Sequence, residues 1–322
     1  MRTIGIVAGG DSSEYEVSVN SANEVCKALS KRYITYIIII RGANWFCEDK
    51  KGRAHSIDKN DFSLKTDDIR IRFDAVFVAI HGTPGENGLL QGYFDMLSIP
   101  YTSCDTFCSA LTFNKQACKM FLKEYDIMMA DAILLRTGKS FTSGEIIKRI
   151  GLPCFVKPND SGSSFGVSKV KTTEELLPAI ATAFKESEEV LVESYMEGTE
   201  VACGVVKTKD RSIVLPVTEI VSKNEFFDYE AKYTPGKSDE ITPARLSEEV
   251  TGEIQRLSSE IYDLLGCNGI VRIDFIIIND KPWFLEINSV PGMTMESLIP
   301  QQARVYGIPL EELYSMVIED LF

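Results

Sequence analysis

Only two histidines, His55 and His81, occur in the 322-residue chain, and none of its eight cysteines belongs to a Cys-x-x-Cys pair. A zinc centre built from Cys and His therefore has little to draw on. The cysteines, at 26, 47, 104, 108, 118, 154, 203 and 267, read as buried reduced thiols, with Cys104 and Cys108 spaced one helical turn apart. A basic surface is also missing. Lysine and arginine total 34 against 47 acids, a net charge of −13, whereas binding a nucleic-acid backbone requires concentrated positive charge. Nucleic acid is excluded as a partner; a small phosphate-bearing anion is not, because a few local cations suffice to hold one. Long apolar runs are lacking too. The most apolar stretch, Ile34–Ile40, is far too short to span a bilayer. The opening residues, Met1–Gly10, enter a strand pattern without the basic, apolar and cleavage segments of a signal peptide. A cytoplasmic protein with no membrane association is expected.

What is present has the composition of a globular chain, 44% hydrophobic and 25% charged. The length predicts two or three domains. Three regions read differently. In 1–100, a buried strand at Thr3–Ala8 ends in Gly9-Gly10, a helix follows over Ser18–Leu29, and β-rich runs come at Tyr33–Ile40 and Ala75–Ile80. This succession predicts a parallel α/β layer with ligand contacts at the strand ends. In 101–200, a helical stretch at Ser109–Tyr125 leads to strands Cys154–Lys157 and Val190–Tyr195, with a helix over Thr173–Phe184 capped by Thr172 or Thr173. In 201–322 come β runs at Val201–Lys207 and Ser212–Val221, a helix over Glu248–Leu265, and a hairpin over Gly269–Asn288.

Two Gly-Lys-Ser triplets, at 138–140 and 236–238, lack the earlier glycine of a Walker loop, since Ile133 and Ala231 stand there. A better phosphate cradle is Phe155–Val167. Its strand delivers Lys157, and its loop carries Gly162, Ser163, Ser164 and Gly166, giving close backbone N–H groups and hydroxyl donors. The alternative is an ordinary hairpin turn. The Gly269–Asn288 hairpin is more informative. With an odd-numbered loop at Asn279–Lys281, Asp274 faces Glu286 and Arg272 faces Asn288, all on one surface. The other surface then receives Ile273, Phe275 and Ile277 opposite Ile287, Leu285 and Trp283. Two carboxylates and an amide oxygen suit Mg²⁺, and an arginine beside them can steady phosphoryl or oxyanion charge. An exposed hairpin with surface charges is the alternative.

Taken together, Gly9–Ser18, His81–Gly88 (HGTPGENG), Gln91–Gly92, Ile99–Thr102, Ser109–Lys115, Lys157–Gly166, Val192–Glu200, Phe227–Tyr233, Thr242–Ala244, the hairpin and Val290–Leu298 closely resemble the D-alanine–D-alanine ligases of the ATP-grasp superfamily. The matches run in order over nearly the whole chain. The resemblance implies an α/β, three-domain ATP-grasp fold: a Rossmann-like parallel α/β domain over 1–100, a central subdomain over 101–200 with the Gly/Ser loop, and a C-terminal subdomain over 201–322 with the metal hairpin and a lid. The last two are α+β domains that sandwich ATP. It implies ATP-dependent joining of two D-alanines through a D-alanyl phosphate for peptidoglycan precursors, with ATP, two Mg²⁺ (Mn²⁺ as a substitute) and a homodimer.

The site residues it implies are specific. Lys115 and Lys157 match phosphate-binding lysines, Ser163 and Ser164 belong to the nucleotide loop, and Glu193 and Glu200 match the adenine and ribose contacts. Asp274, Glu286 and Asn288 match the metal ligands. Arg272 and the Gly292 N–H match the oxyanion donors. Glu14 matches the acid that holds the first substrate's ammonium, with Ser163 and Tyr233 as its partners and His81 beside it. Ser297 and Leu298 match the receptor of the second substrate's carboxylate, and Lys232, on the segment 226–245, reaches the γ-phosphate from the lid. Asn114, Asn87 and Phe227 depart from the Asp, Asp and Tyr common in the family, which bears on lid packing and affinity. Tyr233 after Lys232 resembles the dipeptide-forming members. Alternatives are another acid–amine ligase of the superfamily, a member taking D-serine or D-lactate second, or a silent nucleotide-binding protein; Glu14 and the intact hairpin set speak against the first and last.

Overall fold

The structure, a computed structural model, describes residues 1–49, 51–67, 69–162, 165–222 and 238–322. Three sheets organise it. The first is built from β1 (Thr3–Gly9), β2 (Ile34–Arg41), β3 (Asn44–Glu48), β4 (Ala54–Asp58), β5 (Ser63–Lys65), β6 (Arg70–Ile71) and β7 (Ala75–Val78), in the order β6-β5-β4-β3-β2-β1-β7. After Thr3, strand β1 is apolar because both its faces are covered. Ile4, Ile6 and Ala8 enter one core and Val7 the other. The expected parallel layer holds for β2-β1-β7 only. Four antiparallel strands extend it beyond β2, and their two to five residues are too short to show a period in sequence.

Helix α1 (Tyr15–Leu29) begins three residues before the expected Ser18 and buries Ala22, Val25 and Leu29. After α2 (Leu89–Leu97), the expected single helix over Ser109–Tyr125 is two, α3 (Thr106–Phe113) and α4 (Lys115–Lys123). Asn114 breaks them. Its ψ of 100° is extended, and its Oδ1 accepts from Ala117 N–H at 2.9 Å, capping α4. The break makes Lys115 the first residue of a helix rather than the middle of one.

The second sheet, order β10-β9-β11-β8, is antiparallel and contains β8 (Ala132–Arg136), β9 (Cys154–Pro158), β10 (Ser168–Val170) and β11 (Glu189–Ser194), backed by α5 (Ser143–Ile150) and α6 (Thr173–Ala183). Thr172 is the α6 cap, and Glu175 reaches back to its N–H at 3.2 Å. Gly138-Lys139-Ser140 lies in an exposed turn after β8; the second triplet begins outside the described residues.

The third sheet has the order β15-β14-β12-β16-β17, with β13 also on β12. Its strands are β12 (Thr199–Lys207), β13 (Ser212–Val214), β14 (Thr218–Ser222), β15 (Ser238–Ile241), β16 (Gly269–Ile278) and β17 (Lys281–Asn288). The expected single run Ser212–Val221 is split at Pro216, which has no N–H for the ladder. Helix α7 (Glu248–Leu264) covers this sheet. The chain then returns through α8 (Leu298–Tyr306) and α9 (Leu310–Glu319), whose Tyr314, Val317 and Ile318 share a core with Ile4, Ala22 and Val25. The last residues thus close the first sheet. No described helix is long and apolar enough to cross a membrane.

Candidate active site

The β16–β17 hairpin reaches the expected pairing by a different route. Its turn is the two-residue Asn279–Asp280, both at positive φ (50° and 61°), which suits the twist of the flanking strands. An even turn alone would have put the carboxylates out of register. A bulge at Leu285 restores it, so Asp274 stands opposite Glu286 and Arg272 opposite Asn288. The cost falls on the apolar side. Phe284, not Leu285, pairs with Phe275, and Ile276, not Ile277, lies opposite Trp283. The buried face is Ile273, Phe275, Ile277, Phe284 and Ile287. Leu285 and Ile276 turn instead into a cavity.

That cavity, about 440 Å³, lies between the second and third sheets. Lys157 and Glu193 line it from β9 and β11; Glu200 from β12, and Glu286 and Asn288 from β17, face them, and Lys115 comes from α4. The Lys115 ammonium donates to the Ser161 carbonyl at 2.6 Å. Asp274 is buried below the rim, where Arg272 grips it with two hydrogen bonds of 2.8 and 2.7 Å and Asn288 Nδ2 donates to it at 3.1 Å. Glu193 is buried and takes one ammonium on each oxygen, Lys119 and Lys157, both at 2.5 Å. Burial pushes its carboxyl up, but the two lysines outweigh it and hold it at about 2. Lys119 escaped the sequence reading; its signal was a position four residues after Lys115, the next turn of the same helical face.

A second cluster adjoins the first sheet. Glu14 is buried, and its carboxylate lies so close to the Gly/Ser loop that a Cβ on Gly162 would stand 2.3 Å from Oε2. His81 is buried, with Nδ1 2.8 Å from the Val290 carbonyl and Nε2 3.1 Å from Ser21 Oγ. The carbonyl can only accept, so Nδ1 carries the proton and the Ser21 hydroxyl donates to Nε2. Burial keeps the ring below its usual range, in keeping with that neutral tautomer. Glu86 joins the two clusters. It lines the cavity and accepts from the N–H groups of Gly82 and Val290 at 2.6 and 3.2 Å. Burial, then the charge of Glu14, push its carboxyl to about 8. The sequence offered Glu86 and Ser21 only as members of a motif and a helix.

Gly292 faces Ser297, whose Oγ would be 2.7 Å from a Cβ there. Ser297 precedes α8, so the Leu298 N–H is one of the helix-start donors with no partner inside the helix, while the Leu298 side chain packs with Ala202 and Ile220. Ser163, Ser164, Phe227, Lys232 and Tyr233 lie outside the described residues.

Two sheets closing on a cavity lined by lysines and carboxylates define the ATP-grasp class. Family models for the N- and C-terminal domains of D-Ala-D-Ala ligase match residues 3–104 and 121–319. A D-alanine–D-alanine ligase from Phocaeicola vulgatus is 52% identical over 100% of this chain and 99% of its own. Among solved structures, a D-Ala:D-Ser ligase from Enterococcus faecalis matches with a TM-score of 0.86 and 31% identity, covering 100% of this chain and 99% of that one. A D-alanine–D-alanine ligase from Bacillus anthracis complexed with ATP matches at 0.79 and 29%, covering 100% and 97%. The chain belongs to the D-alanine–D-alanine ligase family, and it is an enzyme of that kind.

Proposed function

We propose that this enzyme uses ATP to join two D-alanines, through a D-alanyl phosphate, for peptidoglycan precursor synthesis. The observation that carries the reading is the convergence of three parts: the Arg272–Asp274–Glu286–Asn288 face, the lysines of the cavity, and Glu14 pressed against Gly162. A ligase for acids without an ammonium group would have no use for the third.

Lys115 and Lys157 would neutralise ATP phosphates together with Ser163 and Ser164, while Glu193 and Glu200 bind adenine and ribose. Glu193 suits the adenine amine because its ion pairs keep it a full acceptor. Asp274, Glu286 and Asn288 would hold Mg²⁺. The donors fit a hard cation, since all are oxygens, and the Asn288 amide spends its N–H on Asp274, leaving its oxygen to coordinate. Bound there, Mg²⁺ would offset the negative charge of the phosphates during transfer.

The first D-alanine's ammonium would rest on Glu14, with Ser163, Tyr233 and His81 around it. Its carboxylate takes the γ-phosphoryl group of ATP. The amine of the second D-alanine, whose carboxylate is held by Ser297 and the Leu298 N–H, attacks that acyl carbon. A C–N bond forms, the C–O bond to phosphate breaks, and phosphate leaves. Arg272 and the Gly292 N–H would stabilise the oxyanion in between. Lys232 on its lid would reach the γ-phosphate and exclude water from a hydrolysable intermediate.

The test is ADP release with Mg-ATP and D-alanine alone, then with D-serine or D-lactate added. Turnover on D-alanine alone is expected. No ADP release under those conditions overturns the proposal, and faster release on adding D-serine would replace the second substrate.

A further inference from the structure

Cys104, Cys108 and Cys267 converge although the last two stand 159 positions apart. Cys104 leads into α3, Cys108 sits in its first turn, and Cys267 lies in the bend between α7 and β16. Their sulfurs all fall within 4.8 Å of one another, with Cys108 Sγ 3.7 Å from Cys267 Sγ. All three are buried, at 0%, 1% and 7% exposure. Nothing in the ligase chemistry calls on them. Among the described residues the surroundings offer no fourth strong ligand: the Cys104 thiol donates to the Asn268 carbonyl at 3.6 Å, and the Tyr262 hydroxyl donates to the Gly269 carbonyl at 3.1 Å. Both histidines are engaged elsewhere, His81 with Ser21 and Val290 and His55 with Asp49.

We propose that Cys104, Cys108 and Cys267 form a three-sulfur site for a soft monovalent cation, cuprous copper. Thiolates select soft ions, and zinc closes its structural sites with four ligands where this enclosed centre supplies three. Binding is an exchange of cation for protons. Each Cu–S bond forms as a thiol proton leaves to solvent, and no electron moves. An ion at this point ties the segment before α3 to the start of β16, the strand of Arg272 and Asp274. The two already touch, since a Cβ on Gly269 would stand 2.3 Å from the Thr102 carbonyl oxygen.

The experiment is an anaerobic titration of the reduced full-length chain with Cu⁺ held by the coloured chelator bathocuproine disulfonate. One Cu⁺ per chain should leave the chelator, and copper-edge X-ray absorption should report sulfur ligation alone. Alkylation mapped by mass spectrometry should find Cys104, Cys108 and Cys267 protected and the half-buried Cys26 still reactive. Cys267→Ser, verified as folded by its melting curve, should weaken copper retention about tenfold or more, while Cys203→Ser should leave it unchanged. Zn²⁺ offered from a chromophoric chelator should be held less tightly than Cu⁺. No copper uptake, protection of other cysteines, an unaltered Cys267→Ser, or preference for zinc would each overturn the assignment. The mapping on the natural chain decides the matter even if the variant does not fold.

Discussion

Glu86 and Glu193 line the same cavity, yet one carboxyl is pushed up to about 8 and the other is held down at about 2. Burial acts on both in the same direction and is the largest influence on each. What separates them is company. Glu193 meets two lysine ammonium groups, whereas Glu86 meets Glu14 and is relieved by two backbone N–H groups and, more weakly, by the charge of Arg272. Counter-charge therefore decides which acid is ionised: the carboxyl beside the two lysines is an anion, and the one beside Glu14 retains its proton. Their pH signatures oppose one another. Glu193, depressed from 4.5, contributes stability present above pH 4.5 and lost as pH falls toward about 2. Glu86, raised from 4.5, contributes stability present below pH 4.5 and lost as pH rises through about 8.

The contrast breaks most severely if Glu193 loses a partner. Lys119→Met should cost roughly 3–5 kcal/mol, because it leaves half of a buried charge uncompensated; denaturant unfolding measures it, and an unchanged midpoint would show that Lys157 alone suffices. Next is Arg272→Ala. It should lower turnover by about 10²–10³ with little change in the KM for ATP, if the guanidinium charge acts in the proposed role, mainly as the oxyanion forms. Arg272 also pulls the Glu86 carboxyl down, so in this variant an infrared titration should find Glu86 higher still, widening the gap. An equal loss in turnover and ATP affinity would count against the oxyanion role. Glu86→Gln should flatten the alkaline limb of stability. The natural chain should lose up to about 1.4 kcal/mol per pH unit between pH 5 and 8 from this group, and the variant should not; parallel curves would mean that Glu86 is ionised throughout. The smallest effect is a control that spares both glutamates. Asn114→Ala removes the α4 cap and should cost about 1 kcal/mol, with Asn114→Asp restoring it.

Much of this site is legible in the sequence. The carboxylate face of the hairpin follows from the two-residue period of a strand, and the loop glycines mark where backbone must approach something closely. Gly162 does so, against Glu14. Other features had no local signal. The Leu285 bulge cannot be read from an unbroken apolar run, because every register buries something apolar, and the expected odd loop reached the right carboxylate pairs for the wrong reason. The short strands β3 to β6 carry too few residues for periodicity. Asn114 looked like a variant of a motif; that it divides two helices depends on its side chain finding the Ala117 N–H.

By itself, then, the sequence determined the longer elements, the chemistry on the hairpin face and the family, because hydrophobic period, glycine placement and motif order are local properties of the chain. Tertiary structure alone decided the electrostatics. Whether a buried glutamate is charged depends on ammonium groups delivered from other elements: Lys119 lies 74 positions from Glu193. The same holds for the three cysteines, scattered thiols in the sequence and one cluster in the fold. Coulomb interaction and metal ligation depend on distance through space, and only the packing of the three sheets fixes those distances.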